Sequence, residues 1–203
     1  MSKIKVILWD FDGVIMDSMK VRDFGFEEVL KEYPSTQVER LMQYHHENGG
    51  LSRYVKFNYF FNEIRGEKLN QDEINKWAAK FSEIMLKNLK NDALLIPEII
   101  QFIKYNQKNY EMHIVSGSDQ KELKEICKDL NIDNYFKSIH GSPTHKNILV
   151  EELLQKHNYN ITECILIGDS INDYEAAINN KINFFAYNNP SLNIKSNYPF
   201  KIN

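Results

Sequence analysis

In the stretch VILWDFDGVIMDS, residues 6–18, three aspartates, Asp10, Asp12 and Asp17, follow directly on an apolar run. Asp12 and Gly13 favour a turn, and polar residues often close strands, which accounts for one aspartate. It does not account for two at alternate positions, because crowded like charges are disfavoured unless a cation or a proton transfer uses them. Other short apolar runs end in equally informative residues. Ser116, Gly117 and Ser118 follow one, and Asp169, Ser170 and Asp173 follow another, while Lys146 comes after HGSPTH. Acids, a hydroxyl-and-amide loop and one cation are the components of a magnesium-assisted reaction on a phosphate.

The elements that must position these residues are legible in outline. The runs KVILW (5–9), MHIVS (112–116), CILIG (164–168) and NFFAY (183–187) predict short parallel strands buried on both faces. Helical stretches lie between the later runs, at Gln120 to Leu130, Lys146 to His157 and Tyr174 to Asn180. Strand and helix alternate, so the expected fold is α/β, a doubly wound parallel sheet. In such sheets ligands bind beyond the carboxyl ends of the strands, which brings the residues above to one crevice. Between the first two strands the pattern breaks into helical periodicity: Phe24, Phe26, Val29 and Leu30, then Val55 to Ile64, then Ile74 to Leu89. The expected organisation is a core of residues 1–17 and 92–203 with an inserted helical domain over 18–91. Pro97 opens the next helix as a first-turn proline.

Composition narrows the function classes. A chain of 203 residues with 42% hydrophobic content supports a proper core. A formal net charge of −3 gives no basic field for nucleic acid, and no apolar run approaches the roughly 20 residues of a membrane span. The N-terminal residues lack the apolar region and cleavage site of a signal peptide, so a cytoplasmic location is expected. Cys127 and Cys164 are far apart and have no C-x-x-C spacing, which predicts buried free thiols.

Four stretches, DFDGVIMDS (10–18), VSGS (115–118), GSPTHK (141–146) and GDSINDYEAA (168–177), resemble in order and spacing the motifs of the haloacid dehalogenase superfamily. The insertion is similar to the type 1 helical cap of its phosphoglycolate-phosphatase and phosphoglucomutase branches. The resemblance implies a Mg2+-dependent phosphatase acting on a small phosphorylated metabolite. Asp10 would be the nucleophile and Asp12 the acid and base, with Ser116 and the Gly117 amide holding phosphoryl oxygens. Lys146 would offset shared charge. Asp10, the Asp12 backbone carbonyl and Asp169 would hold the metal, with Asp173 orienting its waters.

Each residue also has a plainer reading. Ser116 to Ser118 could be a strand-to-helix turn, Asp173 a helix-terminal charge, and Lys146 a surface lysine. His45 and His46 are neighbours on a helix and point apart, so solvated or capping roles are expected rather than a metal pair. Tyr54, Phe57, Tyr59, Phe60 and Phe61 are expected in the core of the insertion. A metal-free dehalogenase would lack Asp12, and a non-catalytic binding protein would be expected to lose a nucleophile, acid or ligand. A hexose-phosphate mutase is the nearer alternative, because GGLSRYVKF (49–57) resembles the mutase cap stretch that grips a second phosphate. Arg53, with Lys56 as the weaker candidate, is therefore the expected substrate contact. Mutases carry a histidine near the position where this chain has Arg22, and GDSIND looks more like the phosphatases.

Overall fold

A computed structural model describes residues 3–202. Five parallel strands form one sheet: β1 (Val6–Trp9), β2 (Glu111–Asp119), β3 (Ser138–Ser142), β4 (Cys164–Gly168) and β5 (Asn183–Ala186), in the order β3-β2-β1-β4-β5. All residues of β1 and β4 are buried, as near-continuous apolar runs at the centre of a parallel sheet require. The sheet order reverses between β1 and β4, so a crevice opens at their carboxyl ends. Asp10 and Asp169 flank that point, and the Asp10 amide donates to the Ile167 carbonyl at 2.9 Å.

Three differences from the sequence reading have physical causes. β3 was not expected, because SIHGS is polar and pairs on one side only, at the sheet edge. β2 continues past Ser116 to Asp119 through a register shift between Val115 and Asp119, so the hydroxyl-and-amide segment is the irregular end of a strand. The last helix starts at Ile171, since Ser170 and Asp173 form a capping box there.

Eight helices accompany the strands. Between β1 and β2 lie α1 (Met19–Val29), α2 (Ser35–Glu47), α3 (Arg53–Tyr59), which continues as a π turn over Phe60–Ile64, and α4 (Gln71–Asn88), then α5 (Pro97–Asn106). Further on come α6 (Gln120–Asp129), α7 (Lys146–His157) and α8 (Ile171–Asn179). Pro97 stands in the first turn of α5, as expected. The two chain crossings into the helical insertion pair with each other: Asp17 donates to the Leu94 carbonyl at 2.8 Å, and Ile96 to the Ile15 carbonyl at 2.9 Å. Both crossings therefore leave the sheet at one place.

Aromatic packing fixes the insertion. Phe26 of α1 lies 4.4 Å from Phe81 and 5.4 Å from Phe57, centroid to centroid, and Phe61 lies 5.1 Å from Trp77. Phe57, Phe60 and Phe61 are buried, as the sequence predicts, whereas Tyr54 reaches out to Asp119 with its hydroxyl at 2.7 Å. Cys127 and Cys164 are buried free thiols. Among the described residues no helix is long and apolar enough to cross a membrane.

Gly25 shows how tight this packing is. A Cβ added there would lie 2.3 Å from Met85 Cε and 2.8 Å from a Phe81 ring carbon. The methionine end can swing away; the ring is wedged against Phe26 and Phe57. Alanine would gain roughly 0.5–1 kcal/mol of helix propensity. Overpacking of this kind costs about 1–3 kcal/mol, so the clash outweighs the gain. Gly25→Ala is therefore expected to lower the urea midpoint, and an unchanged or raised midpoint would show that Phe81 gives way freely.

Candidate active site

Asp10 stands at the carboxyl end of β1, 3% exposed. Its Oδ1 lies 2.8 Å from Lys146 Nζ, presented by the first residue of α7. The same ammonium donates to Asp173, whose other oxygen accepts from the Ser170 amide at 3.0 Å and hydroxyl at 2.6 Å. Asp173 is thus both helix cap and partner of the buried lysine, which unites the two readings open for it. Asp10, Asp169 and Asp173 each offer an oxygen within 4.8 Å of the others. Gly13, at φ +79°, makes this approach possible, since a Cβ there would sit 2.0 Å from an Asp169 oxygen.

Electrostatics follow from that crowding. Burial, reinforced by Asp173, holds the Asp10 carboxyl well above its ordinary range against the opposing pull of Lys146. Burial and then Asp173 push Asp169 up to about 7. Lys146 is itself buried, but Asp10 and Asp173 overcome that and raise its pKa. Three acids share one cation, and the oxygen-only donor set suits a hard divalent ion that would relieve the remaining repulsion.

Across the crevice Asp12 is held quite differently. Its Oδ1 accepts from the Ser18 hydroxyl and from Arg22 Nε at 3.0 Å, and its Oδ2 accepts from the Ser118 hydroxyl at 2.5 Å. Burial would raise its pKa, but Arg22 and then the hydroxyls outweigh this and lower it. Ser116, 2% exposed, accepts from the Ser118 amide at 3.1 Å, and Ser116 and Gly117 line the same cavity as the acids. That cavity, about 350 Å³, has Asp10, Asp12 and Asp169 at its base and Arg22, Arg53 and Lys56 toward the helical insertion. The loop around Gly50 roofs it: a Cβ on Gly117 would lie 2.4 Å from the Gly50 carbonyl oxygen.

Asp10, Asp12, Arg53, Lys56, Ser116, Gly117 and Asp169 line one crevice, with Lys146 and Asp173 buried behind Asp10, and three cations are engaged in ways the sequence did not disclose. Arg53 donates through both terminal nitrogens to Glu122 of α6, at 2.7 Å for Nη2, and to Ser82 at 2.6 Å. This is no surface pair, since Glu122 belongs to the sheet body and is buried. Arg22 donates to the same Glu122 at 2.7 Å and to Ser118 at 2.7 Å. Lys56 Nζ lies 2.7 Å from His45 Nδ1 and donates to the Gly49 carbonyl at 3.2 Å. His45 corrects the expectation of a solvated ring: it is buried, 4.8 Å from the Phe26 centroid, with its pKa lowered to about 2 by burial and by Lys56. Only His46 faces solvent. On α2, His45 shares the inward helical face of Val38 and Leu41, a spacing already present in the sequence.

The comparison with known proteins decides the family. A family model described as haloacid dehalogenase-like hydrolase matches residues 7–187. The chain belongs to the haloacid dehalogenase-like hydrolases. A phosphoglycolate phosphatase of Vibrio parahaemolyticus is 23% identical over 87% of this chain and 80% of the relative. A 5'-nucleotidase of Pseudomonas aeruginosa is 23% identical over 87% of this chain and 79% of the relative. Among solved structures, a predicted phosphoglycolate phosphatase from Haemophilus somnus superposes with a TM-score of 0.74 at 20% identity, covering 98% of this chain and 94% of that one. CbbY from Rhodobacter sphaeroides, in complex with xylulose-(1,5)bisphosphate, gives 0.71 at 13% identity, over 93% and 89%. These likenesses bear out the doubly wound α/β fold of this haloacid dehalogenase-like hydrolase.

Arg22 is the residue whose loss tests the arrangement most directly. It is 6% exposed and separates two carboxylates, Asp12 and Glu122, that are otherwise left facing each other. Removing one member of a buried ionic cluster strands its partners and costs about 3–5 kcal/mol. Arg22→Met keeps the aliphatic stem and is expected to lose that much in urea unfolding. A loss below about 1 kcal/mol would show that the pairs contribute no more than surface ones do.

Proposed function

We propose that this haloacid dehalogenase-like hydrolase is a Mg2+-dependent phosphatase that acts on a small phosphorylated metabolite through an aspartyl-phosphate on Asp10. The observation that carries the reading is the meeting of Asp10, Asp169 and Asp173 around Lys146 at the switch point of the sheet, with Asp12 opposite them. The phosphatase and nucleotidase names of the relatives support the same class. Residues 1–17 and 92–203 form the catalytic body in this reading, and residues 18–91 act as a cap that selects the substrate.

Asp10, Asp169 and the Asp12 backbone carbonyl would hold the ion, with Asp173 placing its waters. When bound, Mg2+ would neutralise phosphate charge and lower the repulsion that keeps an anionic nucleophile from a phosphate ester. A carboxylate oxygen of Asp10 attacks phosphorus, and the ester oxygen departs as an alcohol after taking a proton from Asp12. Asp12 then removes a proton from water, whose oxygen attacks the phosphorus and releases inorganic phosphate and free Asp10. Ser116 and the Gly117 amide hold the phosphoryl oxygens, and Lys146 balances their charge against Asp10. Arg22 holds Asp12 toward ionisation, so only its protonated fraction serves the acid step, and esters whose leaving oxygen needs no proton are the favoured assay substrates. The mutase alternative is not favoured, since Arg53, the cation that would meet a second phosphate, is engaged by Glu122 and Ser82.

Two measurements test this. Asp10→Asn is expected to abolish hydrolysis of p-nitrophenyl phosphate, and Asp12→Asn to slow it by about 10²- to 10⁴-fold. More than about a tenth of wild-type turnover in Asp10→Asn would remove Asp10 as nucleophile.

The second concerns metal and pH. Asp169 titrates at about 7 in the folded protein and near 3.8 as a free carboxyl, so the folded metal-free form holds a proton that the unfolded chain releases. Its contribution to stability therefore falls as pH rises from about 4 to about 7, and the full penalty stands above that. A divalent cation offsets the ionised cluster. The rise in Tm on adding Mg2+ is thus expected to be larger at about pH 8 than at about pH 5, by scanning calorimetry. A pH-independent rise, or none, would count against these acids as the metal site.

A further inference from the structure

Glu122 is an unusual residue to find where it is. It lies on the first turn of α6, outside every stretch that marks the site, and is 2% exposed. Its two oxygens accept from both terminal nitrogens of Arg53 and from Nη1 of Arg22, the two guanidiniums that the helical insertion contributes to the cavity. A carboxylate seated across a guanidinium fork is the geometry by which a protein would grip an anionic substrate group. Here an internal side chain supplies that anion.

Further donors of both guanidiniums are engaged as well. Arg22 spends Nε on Asp12 and Nη2 on Ser118, at 3.0 and 2.7 Å. Arg53 gives its second Nη1 proton to Ser82, and its plane lies 4.6 Å over the Phe81 ring. The two cations are thus balanced by two anions, Asp12 at the base of the cavity and Glu122 behind its upper wall. Lys56 is the other amine there, and burial and Arg22 hold its pKa down to about 7. Its neighbours Phe26 and Phe81 and the nearby Met19 and Leu51 give the same wall an apolar face.

We propose that Glu122 is a specificity-determining residue: by occupying the Arg22 and Arg53 forks it excludes substrates that carry a second anionic group and selects phosphate monoesters whose remainder is uncharged. The inference rests on the phosphatase reading for the identity of the phosphate end. It sets this chain apart from relatives named for phosphoglycolate, in which the second group is a carboxylate. A second anion entering here finds the end-on forks of both guanidiniums already taken by Glu122 and faces the carboxylate of Asp12. Withdrawing the Glu122 charge leaves both forks open to an outside anion. A charge-assisted pair regained in this way is expected to be worth about 10- to 100-fold in affinity.

A matched pair of ligands isolates the effect: phosphoglycolate and 2-hydroxyethyl phosphate, which replaces its carboxylate by an alcohol at nearly the same size. Binding of each is measured by titration calorimetry with Mg2+ in the Asp10→Asn background, so that turnover is not required. With Glu122 present, the alcohol is expected to bind at least as tightly as phosphoglycolate. Adding Glu122→Gln is expected to shift the ratio of affinities at least 10-fold toward phosphoglycolate, and Glu122→Gln with Arg53→Gln to return it most of the way. A purely structural role for Glu122 would weaken both ligands together and leave the ratio alone. An unchanged ratio, or a protein with Glu122 intact that prefers phosphoglycolate 10-fold, would overturn the inference and give the second anion to Lys56. Should Glu122→Gln fail to fold, the ratio in the Glu122-containing protein decides by itself. Binding with the expected ratios but no hydrolysis of either ester by the wild-type enzyme would count against the phosphatase reading and not against Glu122. Binding of neither ligand to any of these proteins would overturn both.

Discussion

The ends of β1 and β4 bring Asp10 and Asp169 together at the reversal of the sheet, α8 adds Asp173 in its first turn, and a single ammonium, Lys146, answers all three. That imbalance is what the surrounding structure is built to tolerate. Gly13 takes a left-handed backbone so that Asp169 can approach, Ser170 shares the charge of Asp173, and α7 begins at the one residue that can reach both Asp10 and Asp173. None of this stabilises the fold as an apolar cluster of the same volume would, because burial of charge costs several kcal/mol per ion before any pairing. The arrangement is intelligible as a cost borne for a ligand that brings positive charge.

Asp12 shows how a separation of two residues changes the chemistry of a carboxyl. Asp10 sits among other acids and is held toward protonation; Asp12 sits among Ser18, Ser118 and Arg22 and is held toward ionisation. A divalent cation beside Asp10 would reverse the first hold and keep its carboxyl ionised. Of the three groups on Asp12, Ser118 comes from the sheet body and Arg22 from the helical insertion, so the state of this carboxyl depends on both parts at once.

Most of the catalytic half was legible in the sequence because strand ends in a parallel sheet are marked by the change from apolar to polar residues. Asp10, Ser116 and Asp169 could each be placed at such a change, and Lys146 at a helix start. Edge strand β3 lacked the mark, since one unpaired side lets SIHGS stay polar. The upper wall was not legible for a different reason. Arg22 and Glu122 are 100 positions apart, and no periodicity in either helix signals that their side chains meet. Arg53 could be picked out as a cation facing the site, but its partner could not, and the partner decides what the cation can do. His45 stands beside the exposed His46 and shares none of its surroundings, because the inward face it has in common with Val38 and Leu41 settles its place.

The network on Glu122 also bears on how the helical insertion and the sheet body stay in register. Arg22 from α1, Arg53 from α3 and Glu122 from α6 meet in a buried cluster beside the crevice of Asp10, and Tyr54 adds a bond to Asp119 at the start of the same α6. A wholly apolar contact between these parts would tolerate small slides, since dispersion and hydrophobic burial are non-directional. Forked guanidinium pairs do not: a displacement of about an ångström breaks two directed bonds and leaves charges unpaired in a dry setting. The cluster therefore contributes registration more than free energy, and through Arg22 it does so beside Asp12. Any motion that opens the cavity to an entering ester must either carry α6 along with the insertion or part Glu122 from both arginines.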